Sequence, residues 1–140
     1  MTVREKQRAL TDEQLRFLDE SPFVGVATTL RDDGSPHSTV VWVDVEDGLV
    51  SFNTEEGRAK ARHLDRDPWV ALLVVDPSDP YRWVSVTGSA EITTEGAREQ
   101  IDKLAEKYLG KDRYPWHDPE KKRLKVLIRP RYVDSSGFDD

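Results

Sequence analysis

Asn53-Thr54-Glu55-Glu56-Gly57-Arg58-Ala59-Lys60-Ala61-Arg62-His63-Leu64 is the stretch that decides the fold. The short apolar run 49–53 stops there, Gly57 allows the chain to turn, and a segment of helix-forming residues begins. The element order around it, six strands with short turns, one helix here after the third and another before the last, does not fit an alternating α/β sheet, so an antiparallel sheet with helices at its periphery is expected. The stretch is also basic. Arg58, Lys60, Arg62 and Arg66 fall within nine residues of an otherwise acidic chain. Backbone N–H groups at a helix start add to the same positive field, which makes a phosphate-binding corner one reading. The other is a solvated helix face with pairs such as Arg58 to Glu55 and Arg62 to Asp65. In one regular helix, residues 58 and 62 share a face and residue 60 points almost the opposite way. Arg58 and Lys60 therefore meet at one anion only if the chain is still turning at Arg58, and both rank above Arg62 as ligands.

Working outward, residues 10–18 predict a first helix, with Thr11 and Gln14 at capping-box spacing and Leu15 and Leu18 on one face. Residues 23–30 and 37–45 predict two strands joined by the Asp33-Gly34 turn, and Glu46-Asp47-Gly48 leads into a third at 49–53. Residues 69–76 form a nearly continuous apolar run, expected to be a strand buried on both faces, and Pro77-Ser78-Asp79-Pro80 ends it. Residues 81–92 are the next strand. Thr94 is expected to cap a helix carrying Ala97, Ile101, Leu104, Ala105 and Tyr108 at helical spacing, with Gly110 ending it. A last strand covers 124–133. Six strands with short turns and peripheral helices predict a mainly β fold, a six-stranded antiparallel split β-barrel, in a single domain over residues 1–140.

With 140 residues the chain has the usual size of one domain, and its formal net charge of -6 and pI near 5.1 oppose a broad nucleic-acid or anionic-membrane surface. The absence of cysteine removes disulfides, thiol nucleophiles and thiolate metal sites. No apolar run approaches the roughly 20 residues of a membrane span, and the N-terminus is polar, so neither a span nor a signal peptide is expected and the cytoplasm is the expected location. His37, His63 and His117 are too scattered to predict a metal site. Nucleophile-elbow, P-loop and dinucleotide glycine patterns are missing. Among the aromatic residues, Tyr81, Trp83, Tyr114 and Trp116 are candidates for flat apolar walls around a ring, with core or interface packing as the alternative. Tyr81 and Trp83 alternate along one strand and so point to the same side. Trp42 reads as core, and Trp69 as structural.

In order and spacing, Gly25-Val26-Ala27-Thr28, Asp33-Gly34-Ser35-Pro36-His37, Arg58-Ala59-Lys60-Ala61-Arg62-His63-Leu64, Asp67-Pro68 and Val86-Thr87-Gly88-Ser89-Ala90 resemble the pyridoxamine-phosphate-oxidase-like, FMN-binding split barrels. More narrowly, they are similar to the actinobacterial branch that uses the deazaflavin coenzyme F420. The resemblance implies a homodimer with a flavin-type cofactor in a groove at the subunit interface. It implies that Arg58 and Lys60, with Arg62 nearby, hold the phosphate, and that the Thr54 hydroxyl, the Asn53 amide and the His63 ring surround it. Main-chain groups of His37, Thr39, Val40 and Val41 would border the tricyclic ring, and Tyr81 and Trp83 would line the substrate pocket. The implied activity is hydride transfer between reduced F420 and a conjugated or unsaturated small molecule. FMN is the alternative cofactor, and a noncatalytic carrier the alternative role. No residue is assigned as a proton donor, because the cofactor carries the hydride and the protein mostly positions it.

Overall fold

Thr11 opens the first helix, α1 (Asp12–Glu20), with the predicted capping box: its side chain accepts the Gln14 N–H, and the Gln14 side chain accepts the Thr11 N–H. Phe17 and Leu18 turn from this helix into the core. The structure, a computed structural model, describes residues 7–138. Beyond α1 come β1 (Gly25–Leu30), β2 (Pro36–Val41), β3 (Asp44–Glu46), β4 (Leu49–Glu55), α2 (Ala59–Arg66), β5 (Trp69–Asp76), β6 (Asp79–Thr93), α3 (Ala97–Leu109) and β7 (Arg123–Ser136). Among the described residues no helix is long and apolar enough to cross a membrane.

All seven strands join one antiparallel sheet in the order β2-β1-β5-β6-β7-β4-β3. This corrects the expected six-stranded barrel in two respects. The stretch 37–45 is two strands, and they lie at opposite edges of a sheet whose ladder does not close. Trp42 and Val43 alone connect those edges, so three Cα steps, roughly 11 Å at full extension, tie one end of the sheet to the other. The break has a physical cause in α3. The Val43 N–H donates to the Tyr108 hydroxyl (3.0 Å) and the Val43 carbonyl accepts from Lys107 Nζ (2.7 Å), so both backbone groups are satisfied outside the ladder.

The core lies on the inner face of the curled sheet, with Phe52, Leu72, Ile128 and the valines at 43, 50, 70, 74, 84, 86 and 126 fully buried. β5 departs from expectation. Val70, Leu72 and Val74 are buried, but Leu73 and Val75 on the other face are 43% and 39% exposed, so the apolar run is covered on one side only within this chain. The expected cap of α3 also moves, from Thr94 to Gly96, whose φ of 71° suits a residue without a side chain. Gly110 ends the helix as predicted, with φ 68°. β6 and β7 form the long spine of the sheet, and their register shifts between Thr87 and Gly88. A Cβ at Gly88 would stand 1.9 Å from the Arg129 carbonyl oxygen, so this close approach requires glycine.

Candidate functional site

The end of β4 and the start of α2 form one corner. Gly57 (φ 91°) turns the chain, and Arg58 keeps an extended backbone (φ -71°, ψ 158°) as the N-cap of α2. Its carbonyl accepts the first helical bond, from Arg62 N–H at 3.1 Å. Because Arg58 stands before the helix, it and Lys60 line the same cleft together with Asn53 and Thr54. The cleft holds about 190 Å³ and is walled by Val40, Val41, Trp42, Tyr114 and Trp116, with Ile101 and Leu104 from α3 and Arg123 from β7.

Lys60 is the unusual cation here. It donates to the Thr39 hydroxyl at 2.9 Å, and among the described residues no carboxylate pairs with it. Partial burial, and secondarily the Arg58 guanidinium, hold its ammonium below the ordinary lysine value. Thr54 is 3% exposed and, among the described residues, its hydroxyl has no hydrogen-bond partner. A buried hydroxyl without a partner is costly in a folded protein, and at the floor of a cleft it is a donor waiting for an acceptor. Glu55, 6% exposed, offsets part of the positive charge: Arg123 meets it at 2.9 Å, Arg58 at 3.3 Å and Lys121 at 3.6 Å. Arg58, Lys60 and Arg123 against one carboxylate leave the corner net positive.

The aromatic end of the cleft is built from three segments. Trp42 stacks on Tyr108 with centroids 5.4 Å apart and an interplanar angle of 6°, and Tyr114 meets Trp42 edge-on at 6.1 Å. Trp116, 65% exposed, packs against Tyr114, and the Arg123 guanidinium lies 4.6 Å from the Tyr114 ring centroid. Such walls suit a flat conjugated ring beside an anion. The residues present thus fit a cofactor with a phosphate and a planar ring.

The sequence-predicted residues separate into two groups. Asn53, Thr54, Arg58, Lys60, Val40 and Val41 come together at the cleft, and Thr39 supports Lys60. The Asn53 amide is already committed to α3, donating to the Ala97 carbonyl (2.8 Å) and to Gln100 Oε1 (3.0 Å), so it braces the corner. His63 bonds Thr29 Oγ1 through Nδ1 (2.8 Å) and meets His37 edge-on at 5.1 Å, outside the cleft lining. Burial first, then His37 and the nearby arginines, hold His63 below its ordinary value. Arg62 lies on another side of α2 beside Ala61, Asp65, Ile92 and Leu124, where its guanidinium donates to the Gly57 carbonyl. Tyr81 and Trp83 sit on the outer face of β6, Tyr81 78% exposed, and do not line this chain's cleft.

From the sequence, Lys121-Lys122-Arg123 is a basic run that could meet the anionic tail of a deazaflavin or simply form a solvated face, and nothing in it singles out Arg123 as part of the phosphate corner. Only its β7 register opposite Glu55 reveals it, across 68 positions. Sequence reasoning also placed Trp42 in the core, whereas the indole lines the cleft.

The family described as "Pyridoxamine 5'-phosphate oxidase" matches residues 10–134. Among solved structures, an F420 reductase is 29% identical with a TM-score of 0.73, over 85% of this chain and 94% of that one. A conserved hypothetical protein from Mycobacterium tuberculosis is 27% identical with a TM-score of 0.71, over 96% and 89%. General Stress Protein 26 from Bacillus anthracis, 20% identical with a TM-score of 0.68 over 91% and 94%, shares the fold.

Proposed function

The chain belongs to the pyridoxamine 5'-phosphate oxidase family, and on that premise we propose that it is an F420-dependent oxidoreductase. In this reading it passes a hydride from the reduced deazaflavin to a conjugated or unsaturated small molecule. The observation that carries it is the carboxylate-free, half-buried ammonium of Lys60 beside the unpartnered Thr54 hydroxyl, at the phosphate end of a cleft whose other end is aromatic. The similarity to an F420 reductase favours the deazaflavin over FMN. FMN remains the second reading, since it presents the same phosphate and a ring of similar shape to the same residues.

The bound deazaflavin supplies the hydride, and the chain's residues orient and enclose. Lys60, Arg58 and the Thr54 hydroxyl grip the phosphate, Arg123 adds positive charge while holding Tyr114, and the backbone of Val40 and Val41 borders the ring. Trp42, Tyr114 and Trp116 exclude water from one side.

The cleft's open side meets the exposed apolar face of the sheet. Val40 belongs to both, and it pairs with Val26, which in turn pairs with Leu73; Val75 pairs with Trp83. The patch, with Val40 at 65%, Leu73 at 43% and Val26 and Val75 at 39% exposure, is an apolar surface of the kind that can mark an interface. A second copy seated there would cover it, close the cleft from outside and bring its own Tyr81 or Trp83 to the substrate. The reading is therefore of a homodimer, and Leu73→Lys is expected to shift it toward monomer by sedimentation.

The test is a parallel titration of cofactor-free protein with F420 and with FMN, followed by quenching of the tryptophans at 42 and 116. Tighter binding of F420, followed by its turnover with a conjugated enone acceptor, supports the reductase. Tighter FMN binding moves the assignment to the flavin branch, binding without turnover to a carrier, and no binding of either overturns the proposal.

A further inference from the structure

The two-residue tie between the sheet edges is bonded by the last turns of α3. The Tyr108 hydroxyl accepts the Val43 N–H at 3.0 Å and donates to the Phe23 carbonyl at 2.7 Å, so its one proton and one lone pair are both used. Lys107 Nζ donates to the carbonyls of Val43 (2.7 Å) and Leu18 (2.8 Å) from the neighbouring position. Trp42, the other residue of the tie, lays its indole on the Tyr108 ring almost parallel, while the same indole lines the cleft. One phenol thus fixes the backbone from which Trp42 springs and also the plane of its side chain.

From this geometry we propose that Tyr108 is a positioning residue, which presets the orientation of the Trp42 wall before a planar ring enters the cleft. The inference rests on the reading of the cleft as a cofactor site. Tyr108 does not itself line the cleft, so it acts through Trp42. An indole free to rotate would lose its motion only on binding, and that entropic cost would weaken the ligand; an indole already stacked has lost it during folding. Burial raises the Tyr108 pKa to about 12, so the hydroxyl keeps the proton that it donates to Phe23 throughout the working pH range. The phosphate end is separate: among the described residues Lys60 bonds Thr39, Arg58 pairs with Glu55 and the Thr54 hydroxyl has no partner, while the Tyr108 hydroxyl bonds Val43 and Phe23.

The experiment compares Tyr108→Leu and Tyr108→Phe with the parent protein. It follows binding of F420 and FMN, competition by inorganic phosphate, and the near-ultraviolet circular dichroism of the free protein, with Trp42→Phe identifying the Trp42 band. Tyr108→Leu is expected to weaken the ring ligands roughly five- to twentyfold, leave phosphate competition unchanged and flatten the Trp42 band. Tyr108→Phe keeps the ring beneath the indole but leaves the Val43 N–H and the Phe23 carbonyl unpaired, and is expected to weaken the ring ligands less than Tyr108→Leu does and to retain the band. Equal affinity and an unchanged band in a folded Tyr108→Leu would overturn the proposal. So would a Trp42 band that appears in the parent protein only when a ligand is added, a measurement that stands even if the leucine variant does not fold. Failure of the parent to bind either ring ligand would instead reject the cofactor reading, and the band in the free protein would still decide whether Tyr108 presets Trp42.

Discussion

Replacing Lys60 by methionine should move ligand affinity and fold stability in different directions. In the free protein the ammonium is half-buried, has only the Thr39 hydroxyl as a partner among the described residues, and is pushed below its ordinary value by burial and by Arg58. Methionine fills similar volume without a charge to desolvate, so the melting temperature of the free variant should be equal or higher. Against a phosphate, the same substitution removes a charge-assisted hydrogen bond of about 1.5–3 kcal/mol, which corresponds to a Kd larger by roughly ten- to 150-fold. The contrast is Arg62→Ala, whose guanidinium contacts the Gly57 carbonyl on another side of α2; its Kd should stay within about twofold of the parent. Tryptophan-quenching titrations and thermal melts on both variants give the numbers. Lys60→Met binding within about threefold of the parent, or Arg62→Ala weakening binding as much as Lys60→Met does, would rule out Lys60 as the phosphate ligand.

Thr54→Val removes the unpartnered hydroxyl while keeping the shape, so the free protein should be no less stable, yet F420 or FMN should bind several-fold more weakly by about 1 kcal/mol; equal affinity by calorimetry would remove Thr54 from the phosphate grip. Gly88→Ala drives a Cβ into the Arg129 carbonyl and should cost at least about 2 kcal/mol in urea unfolding, whereas Gly48→Ala, with no atom within 4 Å of its Cβ but φ 77°, should cost less. Burial pushes the Lys107 ammonium down to about 8, so below that pH both folded and unfolded chains are protonated and the fold bears the full penalty. Between about 8 and 10.5 the folded chain sheds the proton first, and stability should therefore rise with pH, by about 1–2 kcal/mol once solvent screening is allowed for. Denaturant midpoints at about pH 7 and about pH 10 should diverge for the parent and converge in Lys107→Met; equal pH slopes in both would show that this group does not titrate between folded and unfolded states.

What the sequence carried best was local. The Thr11–Gln14 box, the Gly110 stop and the Asp33-Gly34 turn each depend on neighbours within a few positions, and each forms where the spacing predicts. The convergence of Arg58 and Lys60 was readable for the same reason, because it follows from where a helix starts. The division of 37–45 into two edge strands was not readable, since its cause is a hydroxyl 65 positions away. Alternation along β6 rightly put Tyr81 and Trp83 on one side, but period-two patterning does not say whether that side faces the cleft or the outside. The apolar run of β5 misled in a related way: continuous hydrophobicity led to an expectation of burial on both faces, whereas this chain covers only the face of Val70, Leu72 and Val74. Arg123 stayed hidden among lysines because only strand register distinguishes a buried guanidinium from a solvated one.

The cleft draws its two ends from unlike parts of the chain. The anion corner occupies one continuous turn, residues 53–60, braced by α3 and β7, whereas Tyr114 and Trp116 sit in residues 110–122, a largely exposed connection outside the sheet. Only a few backbone bonds anchor that connection, among them Tyr114 N–H to Asp102 and Glu56 N–H to the Lys122 carbonyl. On the proposed reading, changes of length or composition there can reshape what lies over the ring while the grip on the phosphate stays as it is. If the proposed function holds, a chain built this way is equipped to diversify: one handle for the coenzyme, and a replaceable wall on which new acceptors can be tried without refounding the fold.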